Sequence, residues 1–142
     1  VERVTAAAEA AHGGPARLTL TARTELLVNS AGDLGQAIER LQRYQEAGAD
    51  VLFVPGVRSA DNIATVVGAV DLPVSVMALP GVPSVSELAT LGVRRVSMAA
   101  WFTYAALRGL QAAATEVVEH GTYGFMDDMK DVRQLTVEAF GD

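Results

Sequence analysis

Four short β-branched runs recur along the chain, at Leu18–Ala22, Val51–Val54, Val74–Met77 and Arg95–Met98, each followed by a stretch with helical spacing. Strands that alternate with helices specify βαβ units, and successive units specify a parallel sheet. The constraint is severe, because the amides on both sides of every parallel strand need partners. Barrels of this kind close with eight strands and about 250 residues, whereas this chain has 142. Two architectures satisfy the pattern. One is a small doubly wound sheet. The other is half of a (β/α)8 TIM-type barrel, four β/α units with extra C-terminal helices, whose open edges meet a partner chain or a missing half.

The helix boundaries are written in the punctuation. Asp33 with Gln36 and Ser84 with Glu87 have capping-box spacing, in which side chains satisfy the orphan amides of a helix start. Leu34, Ala37, Ile38, Leu41 and Tyr44 follow the first box at helical spacing, and Gly48 stands where a C′ glycine is expected. Ser59 is placed to cap a helix carrying Ile63, Val66, Val67 and Val70, and Gly92 closes the helix of Leu88 and Leu91. A longer helix is predicted from about Trp101 toward Gly121, and a last amphipathic one over Asp127–Phe140, with Val132, Leu135 and Ala139 on one side. We expect one domain over 1–142: a helix at 1–12, four β/α units at 17–122 and a helical tail at 123–142.

Composition narrows the function classes. The formal net charge is -6 with no basic run, which argues against nucleic acid and anionic membrane surfaces as partners. The longest apolar stretch, Val96 to Leu107, is broken by Ser97 and Thr103 and falls short of the ~20 residues of a membrane helix. The opening VERVTAAAEAAHGG lacks the order of a signal peptide. With no cysteine, the reading is a cytoplasmic protein without disulfides or thiolate chemistry. No glycine-rich dinucleotide or P-loop turn follows any strand.

In LTLTART, period-two alternation puts Leu18, Leu20 and Ala22 on one face and Thr19, Thr21 and Arg23 on the other. Arg23 then ends its strand, where βα-barrel enzymes place substrate-binding groups. A guanidinium there can hold a carboxylate through paired hydrogen bonds, or it can pair with Glu25 or Asp50. Glu25 at the same strand end can orient Arg23, contact substrate or be solvated. Ser75, on one side with Met77 and Leu79, is a candidate pocket contact. Gly56 and Gly81 follow strands, where a ligand can approach the backbone, though turn geometry also explains both. His12 and His120 sit at helix ends and read as dipole-favoured caps. Asp127, Asp128 and Asp131 read as caps and charge balance for the first turn of the last helix, and Trp101, Phe102 and Tyr104 as core or subunit interface.

The runs LTLTARTELL, EAGADVLFVPG and LGVRRVSM make the chain resemble the second half of the isocitrate lyase/phosphoenolpyruvate mutase (phosphonomutase) superfamily, over nearly its whole length and less so after about Tyr123. The resemblance implies the last four strands of a (β/α)8 barrel. It also implies Mg2+-dependent lyase or mutase chemistry on C–C or C–P bonds next to a carboxylate, through an enolate-type intermediate. Arg23 takes the role of the ART arginine that binds a substrate carboxylate or enolate oxygens, with Glu25, Gly56 and Ser75 as further substrate-binding candidates. The superfamily's acidic Mg2+ ligands and its mobile loop belong to the first half of the barrel, which these residues do not supply. Pro55-Gly56 stands where the methylisocitrate lyase branch has a glutamate after the proline, and Ser75-Val76-Met77-Ala78-Leu79 replaces an Asn-rich segment. A small 2-oxo or 2-hydroxy acid therefore fits better than a tricarboxylate. The resemblance further implies a homo-oligomer in which the helix from Trp101 is exchanged between subunits. The alternative is a non-catalytic half-barrel fragment or assembly subunit lacking the metal site.

Overall fold

The computed structural model describes residues 1–141. Its elements are α1 (Glu2–His12), β1 (Thr21–Arg23), α2 (Leu34–Glu46), β2 (Val51–Phe53), α3 (Ala60–Gly68), β3 (Val74–Met77), α4 (Val85–Thr90), β4 (Arg95–Ser97), α5 (Trp101–His120), a 3-10 turn at Gly124–Met129 and α6 (Lys130–Phe140). The chain divides into two compact units, Val1–Ala99 and Ala100–Asp142. This differs from the expectation of one body with a tail from 123, because the division falls directly after β4.

In the first unit the four strands are all parallel and lie in the order β1-β2-β3-β4. A doubly wound sheet reverses its strand order at a switch point; this one does not. The helices also share one face. Ala22, Leu52, Val54, Val74 and Val76 join Ala37 and Leu41 of α2, Ile63 and Val66 of α3 and Leu88 of α4 in a single apolar core. The sheet is curled as well. Arg95 Nη1 of β4 donates to Thr21 Oγ1 of β1 at 3.2 Å, although three strand spacings in a flat sheet total about 14 Å. In-order parallel strands, helices on one face and a curl are the features of a (β/α)8 barrel, here as four units.

The capping boxes form as read: Asp33 accepts from the Gln36 amide while Gln36 returns to Asp33, and Ser84 and Glu87 do the same. Ser59 caps α3 by accepting from the Asn62 amide. The first strand is the main departure. It runs Thr21–Arg23 rather than Leu18–Ala22, and Leu18 is exposed, because ladder pairing begins only at Thr21, opposite Val51.

In the second unit, Glu116 folds the chain after α5 back on itself by accepting from Thr122 Oγ1 at 2.7 Å and from the Gly124 and Phe125 amides at 2.5 and 3.1 Å. These bonds, the Thr122 hydroxyl foremost, hold its carboxyl below the usual glutamate range. The cap position of α6 is not an aspartate. The N-cap of α6 is Met129 with no side-chain bond, and of the three acids only Asp131 lies in the first turn. The Asp128 side chain lies outside the described residues.

The entry to the sheet is pinned by Asp50. Its carboxylate accepts from the Leu20 amide at 2.7 Å, His12 Nε2 at 2.8 Å and Arg17 Nη2 at 2.5 Å. His12, read as a helix-end residue, thus ties the end of α1 to the start of β2. The Leu20 amide first, then His12, with Arg17 behind the burial cost, lower the Asp50 pKa from 3.8 to about 2. A lowered carboxylate pKa adds stability above its unfolded value, and that stability is lost as pH falls toward the folded one. We expect Asp50→Asn to flatten the acid limb of the stability curve between about pH 4 and 2, measured by denaturant melts at a series of pH values; parallel limbs for both proteins would refute this.

Candidate functional site

The second face of the sheet follows from the alternation. If Ala22, Leu52, Val54, Val74 and Val76 point to the helices, then Thr21, Arg23, Phe53, Ser75, Met77, Arg95 and Ser97 point the other way. The register joins one residue from each strand into a row: Arg23 opposite Phe53, Phe53 opposite Ser75, Ser75 opposite Arg95.

Arg23 stands at the C-terminal end of β1 with its side chain 42% exposed. Its Nε donates to Glu25 Oε1 and its Nη2 to Glu25 Oε2 at 3.2 Å. The guanidinium carbon lies 5.0 Å from the centre of the Phe53 ring, within cation–π range. Of the acids considered for Arg23, the structure pairs it with Glu25, since Asp50 is occupied by His12 and Arg17. Arg23 also borders a groove of about 630 Å³ beside β1, with Val4, Leu20 and Tyr44 on its walls.

Ser75 occupies the centre of the row and is fully buried, and its Oγ has no hydrogen-bond partner among the described residues. Thr24 Oγ1 is in the same condition one residue after Arg23. Gly56 adopts φ +94, and a Cβ on it would stand 3.0 Å from the backbone and side chain of Leu27 and the amide of Val28. Its close backbone approach is therefore to the loop that carries Glu25. Gly81 has φ +87 with open space beside it. Arg23, Glu25 and Ser75 are thus gathered at one sheet face, while Gly56 supports the adjoining loop.

Phe53 and Arg95 escaped the sequence reading. Period-two spacing put each on the face of its own strand, but their neighbours follow only from the strand register. His120 lies in the last turn of α5, and Trp101 meets Tyr104 edge-to-face at 5.9 Å within the same helix. No group of three His, Asp or Glu among the described residues could hold a metal ion. At the strand end the nearby carboxylate, Glu25, is engaged by Arg23. The described residues do not make an Mg2+ site.

A family model described as phosphoenolpyruvate phosphomutase matches residues 1–118. The chain belongs to this family. Among solved structures, a candidate lyase/mutase from Burkholderia cenocepacia J2315 is 42% identical with a TM-score of 0.88, over 99% of this chain and 52% of that one. An oxaloacetate acetylhydrolase, solved with its product oxalate, is 27% identical with a TM-score of 0.81, over 95% of this chain and 48% of that one. An uncharacterized protein of Mycobacterium tuberculosis is 39% identical over 82 residues, 58% of this chain and 30% of the relative. The chain thus spans about half the length of these solved relatives. The solved neighbours include the candidate lyase/mutase and a candidate phosphonomutase on an α/β barrel-type fold, and this chain carries four β/α units of it. No helix among the described residues is long and apolar enough to cross a membrane.

The buried Ser75 hydroxyl gives a direct test. An unsatisfied buried polar group costs about 1 kcal/mol or more, so Ser75→Ala should leave the unliganded protein equally stable or more stable. A denaturant melt that shows it destabilised by more than about 1 kcal/mol would mean that Oγ is partnered.

Proposed function

We propose that the full-length protein is an Mg2+-dependent lyase or mutase acting at a C–C or C–P bond next to the carboxylate of a small 2-oxo or 2-hydroxy acid. The observation that carries this reading is Arg23: a charged, half-exposed guanidinium at the C-terminal end of a parallel strand, where barrel enzymes bind substrate. The product held by the similar oxaloacetate acetylhydrolase, oxalate, is an acid of the proposed size. Arg23 acts as an anion clamp, presenting fixed positive charge to an oxygen that grows more negative as the bond breaks. The metal ligands belong to chain outside these residues. The bond-breaking step is therefore left to the complete barrel, and the role assigned here is substrate binding and charge stabilisation.

The oligomer belongs to the same proposal. None of the twenty residues of α5 is buried, and Phe102, Tyr104, Leu107, Leu110 and Val118 are exposed apolar groups along it. A helix of that composition is stabilised by packing against another surface. Exchange of α5 between copies of the protein supplies one.

The test is turnover of oxaloacetate and a panel of small 2-oxo and 2-hydroxy acids by the full-length protein, with Mg2+ and with a chelator. Turnover of at least one acid, abolished by the chelator, is expected. Arg23→Ala should lose about a hundredfold or more in kcat/KM with an unchanged melting temperature. Absence of turnover together with absence of Mg2+ binding would favour the non-catalytic assembly.

A further inference from the structure

A guanidinium is a plane with five N–H donors and can hold a carboxylate by either of two edges, side-on through Nε and one Nη, or end-on through both Nη atoms. In Arg23 the side-on edge is taken, because Glu25 accepts from Nε through Oε1 and from Nη2 through Oε2. The guanidinium carbon also sits over the Phe53 ring, 5.0 Å from its centre. Both contacts are built into the backbone. Glu25 lies two residues beyond Arg23, in the loop that follows β1, and Phe53 is the partner of Arg23 in the β1–β2 ladder. That loop packs closely on Gly56, where the positive φ disfavours a side chain and a Cβ would crowd Leu27 and Val28 at 3.0 Å. What remains is the end-on edge, with both N–H groups of Nη1 and one of Nη2.

We infer that Glu25 and Phe53 are positioning residues, which fix the Arg23 plane so that it receives a substrate carboxylate end-on, through Nη1 and Nη2. The inference rests on the reading of Arg23 as an anion clamp and adds how that clamp selects. Because Glu25 neutralises Arg23 locally, attraction by net charge is weak at this point. Recognition depends on a planar group whose two oxygens match the remaining fork, and that group is a carboxylate. Glu25 therefore contributes to catalysis through Arg23 without touching substrate.

The experiment pairs the kinetics of Glu25→Gln in the full-length protein with 15N spectra of its arginine side chains, using oxalate as the probe. In the wild type, an Arg23 Nε–H signal, assigned by its loss in Arg23→Lys, should persist unshifted on adding oxalate while the Nη signals move. Glu25→Gln should displace the Nε–H signal and lower kcat by about tenfold to a hundredfold, the scale of a slightly misplaced group, with KM nearly unchanged. Glu25→Asp should recover part of kcat. A raised KM at constant kcat would put Glu25 on the substrate itself, and unchanged kinetics and spectra would make it a solvated acid; either result overturns the inference. If the wild type turns over none of the acids, the functional reading fails separately and the spectra still decide. An Nη shift with Nε fixed keeps the clamp, whereas an Nε shift on displacement of Glu25, or no response to oxalate, overturns it.

Discussion

A parallel strand cannot be joined to its neighbour by a tight turn; it needs a crossover, and in an ordinary sheet that crossover is right-handed. Each crossover in this chain is a helix with its own start signal, Asp33, Ser59 or Ser84, and each returns the chain to the next strand in sequence order. Repeating one right-handed step without reversal puts α2, α3 and α4 on the same face and leaves the other face to whatever the alternating residues carry. The core, the curl and the candidate site all depend on that step. The outer edges of β1 and β4 depend on it too, since in-order pairing gives each of them one neighbour among the described strands.

The two faces then take different chemistry. The helix side is aliphatic and closed, with Leu41, Leu52, Ile63, Val66 and Val76 fully buried. The other side carries charge and hydroxyls in a register row, and two of its arginines are held by different means. Arg95 reaches across the sheet to a neutral hydroxyl on Thr21, whereas Arg23 is held in place by a carboxylate and an aromatic ring. An exposed ion pair of this kind adds little to stability, commonly under about 1 kcal/mol. Its consequence is geometric, because a guanidinium paired to a carboxylate and seated over a ring has far fewer orientations than a free one.

The second unit has a different logic. It has little buried surface, and the Glu116 carboxylate with the Thr122 hydroxyl and the Gly124 and Phe125 amides fixes its turn. Capping of α6 by aspartates was a reasonable expectation from composition, yet the 3-10 turn at Gly124–Met129 intervenes and leaves Met129 at the cap.

The sequence by itself determined the elements and the family. Capping boxes, C′ glycines and period-two runs are short-range devices, each read within about five residues, so the crossover helices and β2, β3 and β4 stood close to where they were expected. It also put Arg23 at a strand end and Glu25 beside it. Strand and helix spacing left open a doubly wound sheet or barrel-type units, because strand order depends on contacts between residues tens of positions apart; the family resemblance pointed to the barrel, and the in-order strands bear it out. The tertiary structure alone moved β1 to Thr21–Arg23, since a strand begins where its partner begins, at Val51. It settled which acid pairs with Arg23, as Asp50 was claimed by His12, Arg17 and the Leu20 amide. And it put Phe53 beneath the guanidinium, because a cross-strand neighbour is set by register, which no local pattern encodes.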